Sequence, residues 1–248
     1  MNKPSTMHVG RLGSTIHVLR ADAETVCALA TVDWSRHFRH VCLDPVRGLI
    51  TLMAPSNRHE DLTSVFDDLV EAAGLILAGA ARKLRSPRLR APDEPPGTGM
   101  EPDCAFYVGG RARGYYAACK EGDTAIEAYL DHTAPDLVVE VEVVHADDGK
   151  AERYGDIGVR ELWRLDGRAG TEKLRAEFLA LSPGSAPRRL DASEVLDGLT
   201  PEDVCDAVEG VRAGPTPEKR KEAVARIVLR RGTVRVREEA PPYAETVA

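Results

Sequence analysis

Two glutamates, Glu140 and Glu142, interrupt the otherwise apolar run Pro135–Val144, "PDLVVEVEVV". In a strand, side chains alternate between faces, so both acids share a face with Val138 and Val144, while Leu137, Val139, Val141 and Val143 form a uniformly apolar opposite face. An ionised carboxylate on a covered strand is costly unless it is paired or binds a metal. The alternative is an edge strand whose acidic face meets water. Asp136 stands four residues before Glu140, about 13 Å along a strand. Hard divalent cations take oxygen ligands at roughly 2.0–2.6 Å, so the two cannot share one ion. A partner carboxylate for Glu140 must come from a neighbouring strand, and "EPDCAFYV" offers Asp103 at the mouth of the preceding one.

The elements that must position these acids follow from periodicity and turn chemistry. "ADAETVCALATV" reads as a short helix, and "HFRHVCLDPVRGLITLMAP" as a hairpin turning at Asp44-Pro45 and Gly48. "SNRHEDLTSVFDDLVEAAGLILAG" opens with the cap-competent Ser56 and Asn57. It then places Leu62, Val65, Phe66, Leu69 and Val70 at helical spacing up to Gly79. A Pro/Gly-rich loop, "APDEPPGTGMEP", leads to the strand "DCAFYV", then to a loop or short helix, then to the strand carrying the glutamates. A helix around "DDGKAERYGDIG" and strands at "VRELWRL" and "LRAEFLALS" follow. Helix and strand mix irregularly, so the class is α/β or α+β. Residues 1–185 form the main domain in this reading, and 186–248 a C-terminal helical and strand extension ending in a loose tail.

The 248 residues are 43% hydrophobic, enough for one substantial core. Five scattered cysteines, without C-x-x-C spacing, suit neither a metal site nor a disulfide scaffold and point to a reducing cytoplasm. No apolar run reaches the ~20 residues that span a bilayer, and the start lacks a signal-peptide apolar region. A net charge of −7 argues against indiscriminate polyanion binding. It leaves room for a local basic face at Arg82, Lys83, Arg85, Arg88 and Arg90, or at 219–237; a solvated charged surface is the alternative for either.

The ordered segments "GLITLMAPSNRHE", "EPDCAFYV", "APDLVVEV" and "KAERYGDIGVRELWRLD" together resemble the Uma-two family, a branch of the PD-(D/E)XK phosphodiesterase superfamily of restriction-endonuclease type. The resemblance spans about Val41 to Leu181. Its last segment is the most specific, keeping Lys150, Tyr154, Gly158, Val159, Glu161 and Trp163 at family spacing. It implies a restriction-endonuclease-like mixed sheet flanked by helices. Asp103, Glu140 and the backbone carbonyl of Val141 would hold Mg²⁺ or Mn²⁺ for hydrolysis of DNA phosphodiesters, and superfamily members often form homodimers.

The superfamily's lysine normally follows two residues after the glutamate. Here that position is Glu142, and Val143 stands where the family has serine. Lys150, four residues before Tyr154 on one helical face, matches the family's alternative lysine; a surface lysine at a helix start is the competing reading. Glu60 matches an additional carboxylate of the superfamily and His59 the family's histidine, so that both could face the metal; a first-turn acid complementing the dipole and a capping or satisfied polar contact are the favoured alternatives. The Arg82–Arg90 cluster would meet substrate phosphate. Tyr154 and Trp163 read as packing residues. Besides a DNA nuclease, the same residues allow a degenerate nucleic-acid binder or a protein-interaction module on the same fold.

Overall fold

The computed structural model describes residues 15–32, 40–54, 57–85, 87–91, 94, 98–142, 149–167 and 174–212, with a few isolated positions beyond. The chain opens with β1 (Thr15–Arg20), α1 (Ala23–Leu29), β2 (His40–Asp44) and β3 (Leu49–Ala54). These strands make an antiparallel three-stranded sheet in the order β1-β3-β2. The expected hairpin is β2–β3, and β1 is an addition: it pairs along its whole length with β3. In the turn, Asp44 Oδ1 accepts from the Arg47 N–H at 2.9 Å. Gly48 takes φ 62°, and a Cβ there would meet the Ala21 carbonyl oxygen at 2.4 Å, so glycine is required.

The main body follows as α2 (Asn57–Ala78), β4 (Ala81–Arg85), β5 (Cys104–Val108), α3 (Gly110–Glu121), α4 (Asp123–His132), β6 (Leu137–Glu142), α5 (Gly149–Ile157), β7 (Glu161–Asp166), β8 (Arg175–Ala180), β9 (Arg188–Leu190) and α6 (Pro201–Arg212). Its six strands form one mixed sheet in the order β4-β5-β6-β7-β8-β9. The β6–β7 pair is parallel and the others antiparallel. This is an α/β architecture, a mixed sheet flanked by helices.

One sheet face is covered by α2 and α6. The five helically spaced residues Leu62, Val65, Phe66, Leu69 and Val70 all lie in this core, with Trp163 stacked on Phe178 at 4.1 Å and met edge-on by Phe66. The opposite face takes α5 through Ala151 and Tyr154, packed on Ala105, Val138 and Leu162. Toward β4 the same face carries Tyr107 beneath Ala112 and Tyr115 of α3.

Three expectations change. The loop or short helix expected after β5 is two helices, α3 and α4, separated by Gly122 at φ 107°. The edge-strand alternative for the glutamates is overturned, because β6 lies between β5 and β7 and its residues 137–141 are buried. A boundary at 185 does not separate two cores: Leu190, Leu196, Leu199, Val204, Val208 and Val211 join the core beneath α2. The helix that looked like an appendage closes the main sheet because its apolar stripe has that face to bury against. The segment 219–237 falls almost entirely outside the described residues.

Asp136 is a structural residue, as its distance from Glu140 implied. Its Oδ2 accepts from the Val108 N–H at 2.9 Å, and its Oδ1 faces Arg160 at 3.1 Å and Arg111 at 3.5 Å. It ties the start of β6 to the end of β5.

Candidate functional site

The β5–β6 ladder pairs Cys104 with Val139, Ala105 with Val138 and Phe106 with Leu137. One further step in this antiparallel register sets Asp103 opposite Glu140. Directly opposed residues share a face, with Cβ atoms roughly 4.5–5.5 Å apart. Both acids are buried, at 5% and 6% exposure. Asp103 Oδ2 accepts from the Val141 N–H at 2.7 Å. In an extended strand the N–H and C=O of one residue point to the same side, so the Val141 carbonyl also lies on the Asp103 side of β6.

Helix α5 brings two donors to Glu140. Lys150 Nζ donates to Oε2 at 2.8 Å, and the Tyr154 hydroxyl donates to Oε1. The i, i+4 spacing stacks both side chains on one helical face, so each carboxylate oxygen has its own partner from successive turns. Burial alone would lower the Lys150 pKa, but Glu140, and then Asp103, hold it above the usual lysine range. Tyr154 is pushed up by burial and then by Glu140, so it remains a neutral hydroxyl donor. Tyr154 was expected only to pack; it does pack, and it also engages Glu140.

His59, in the first turn of α2, is 1% exposed, and its Nε2 lies 3.1 Å from Asp103 Oδ1. Burial opposes its protonation most strongly, but Asp103, joined by Glu60 and Glu140, raises its pKa on balance. Glu60 stands further out, with Oε1 3.7 Å from His59 Nδ1 and a third of its side chain exposed. Thus Asp103, Glu140, Lys150 and His59 converge, with Glu60 at the margin.

Glu142, on the same face as Glu140, places Oε1 3.7 Å from Nε of Arg164 on β7. The β6–β7 register sets Arg164 directly beside Glu140 and Asp166 beside Glu142. Burial pushes Glu142 up to about 7, against the opposing pull of Arg164 and with a further rise from Glu140. Its folded pKa thus lies above the ordinary 4.5. The stability tied to its protonated form is fully present below the unfolded value and is lost as pH rises through about 7. Glu142→Gln in metal-free protein is therefore expected to exceed the wild type by up to about 3 kcal/mol near pH 8. It should match the wild type below about pH 4; urea melts at the two pH values check this.

Among the described residues, the basic cluster does not gather on one face. Lys83 pairs with Asp67 of α2 on one face of β4. Arg82 turns to the other face, its guanidinium 4.9 Å over the Tyr115 ring. Arg88 Nε donates to Glu101 Oε1 at 2.9 Å, and Arg90 Nη1 to the Glu94 carbonyl at 3.1 Å. The side chain of Arg85 lies outside the described residues, as does Val143.

Sequence reasoning missed Arg164. A local cue was present, since in the strand "ELWRLD" Arg164 and Asp166 are the polar residues on the face of buried Leu162.

The donor chemistry suits a hard divalent cation: two carboxylates and a strand carbonyl form an all-oxygen set, leaving positions for water or phosphate. Among the described residues, no group of three His, Cys, Asp or Glu side chains comes together that could hold a metal. Compared with known proteins, the chain matches no family model and no curated protein. Among the described residues, no helix is long and apolar enough to cross a membrane.

Proposed function

We propose that this protein is a divalent-metal-dependent endonuclease that hydrolyses DNA phosphodiesters, in line with its resemblance to the Uma-two branch of the PD-(D/E)XK superfamily. The observation that carries the reading is the convergence of Asp103 and Glu140 from adjacent strands with Lys150 Nζ 2.8 Å from Glu140. The ammonium missing two residues after the glutamate arrives instead from α5.

Asp103, Glu140 and the Val141 carbonyl would hold Mg²⁺ or Mn²⁺. When bound, such an ion acidifies a coordinated water and neutralises phosphate charge. Lys150 stays protonated and orients the attacking water or the phosphate oxygen. Tyr154 fixes the Glu140 carboxylate in rotation, and His59 does the same for Asp103. The reading includes a homodimer in a reducing cytoplasm, the latter consistent with the free cysteines.

A second reading, a nuclease-fold protein that binds nucleic acid without cutting it, is favoured by the acid at position 142. Calorimetry with Mn²⁺ and cleavage of supercoiled plasmid test both. The nuclease reading expects Mn²⁺ binding and nicking, each lost in Asp103→Ala. Salt-sensitive DNA binding without cleavage, unchanged by Asp103→Ala, would replace it with the second.

A further inference from the structure

The acid in the lysine position has a partner of its own. Continuing from Asp103 through Glu140, the sheet register reaches Arg164 on β7, so one row across three strands reads carboxylate, carboxylate, guanidinium. Adjacent strands lie about 4.8 Å apart, which puts the Arg164 backbone one strand from Glu140 and two from Asp103. All three share the face covered by α5. Glu142 reaches across to Arg164 on the Nε side at 3.7 Å, and the two side chains are only 14% and 12% exposed.

A sheltered ion pair of this kind holds a long side chain in a defined place, which an exposed pair does not. Guanidinium is also the cation best matched to a phosphate, offering two parallel N–H donors to two oxygens. The register sets the Arg164 backbone directly beside Glu140, on the face that carries both carboxylates. Lys150 is engaged with Glu140 at 2.8 Å, and Arg164 adds a further cation on the same face for the phosphate.

We propose that Arg164 contacts the phosphodiester bound at the Asp103–Glu140 site and that Glu142 is a positioning residue that holds its guanidinium there. The inference rests on the phosphodiesterase reading and deepens it by naming the substrate-phosphate contact. Position 142 then does not mark a lost lysine. Its carboxylate serves the second cation of the site, Arg164, as Glu140 serves the first, Lys150.

The salt dependence of DNA binding separates a phosphate contact from a packing role. A fluorescein-labelled duplex is titrated in Ca²⁺ at several salt concentrations between about 50 and 200 mM, and log K is plotted against log salt. Arg164→Met is expected to lower the slope by about 0.9, the loss of one phosphate contact. Arg113→Met, on the exposed side of α3, should leave it unchanged. Arg164→Lys keeps the charge and the slope but loses the fork, and is expected to cleave about tenfold more slowly.

Glu142→Gln should bind the duplex at least as tightly as the wild type and also cleave about tenfold more slowly. That split between affinity and rate is one a destabilised fold would not produce. If Arg164→Met does not fold by circular dichroism, Arg164→Lys and Glu142→Gln decide the matter. A wild type that cleaves, with Arg164 variants of unchanged slope and rate, overturns the inference and leaves the nuclease reading standing. A wild type that binds neither Mn²⁺ nor duplex overturns both.

Discussion

Arg153→Met is expected to remove roughly 3–5 kcal/mol of folding stability, the cost of stripping the cation from a buried charge cluster. Arg153 is 6% exposed on α5. Its guanidinium meets Asp44, from the end of β2, and donates to Glu94 Oε1 at 2.7 Å. Arg47 joins the cluster from the adjoining turn, donating to the Gly149 carbonyl at 2.9 Å where α5 begins. One side chain thus ties the N-terminal hairpin, the loop at Glu94 and the helix bearing Lys150 and Tyr154.

Without Arg153, Asp44 and Glu94 face each other without the cation between them, and like charges in a sheltered site repel. Urea melts measure the loss. Adding Asp44→Asn and Glu94→Gln to Arg153→Met should recover most of it, because the triple variant buries no orphaned charge. A single variant within about 1 kcal/mol of the wild type would show instead that α5 is held by Ala151 and Tyr154 packing alone.

What could be read in the sequence was whatever local periodicity controls. The apolar stripe of α2 went into the core as spaced, because one helix face must be buried wherever the helix lands. The alternation of β6 was legible, and with it the need for a carboxylate from the next strand, since distance along a strand is fixed. Strand order was not legible. Whether Glu140 faced water or a covered interior depended on β5 and β7 flanking β6, a non-local outcome. Likewise β4 looked like a basic patch because "ARKLR" has little strand character of its own. Its Lys83 and Arg82 are matched on opposite faces by Asp67 of α2 and by the Tyr115 ring of α3, partners that no local pattern announces. Arg164 was overlooked for the same reason: only the β6–β7 register brings it beside Glu140.

Lys150→Met is expected to slow DNA cleavage about 10²–10³-fold, the usual cost of removing one charge-stabilising donor from a reacting centre. The same variant should bind Mn²⁺ at least as tightly as the wild type, because the ammonium 2.8 Å from Glu140 competes with an incoming cation. Calorimetry alongside single-turnover cleavage separates the two. Parallel loss of metal binding and rate would mean that Lys150 holds the Glu140 carboxylate in place rather than acting on the reaction. Restoring a lysine at the superfamily position then becomes informative. If an ammonium beside Glu140 were all the site needed, Glu142→Lys in the Lys150→Met background would regain activity. With Arg164 as a second cation, it should not: the introduced ammonium would stand where the carboxylate now meets the guanidinium at 3.7 Å, and like charge would push Arg164 away. The double variant is therefore expected to cleave no faster than Lys150→Met alone. Recovery to the wild-type rate would show that the Glu142–Arg164 pair is dispensable.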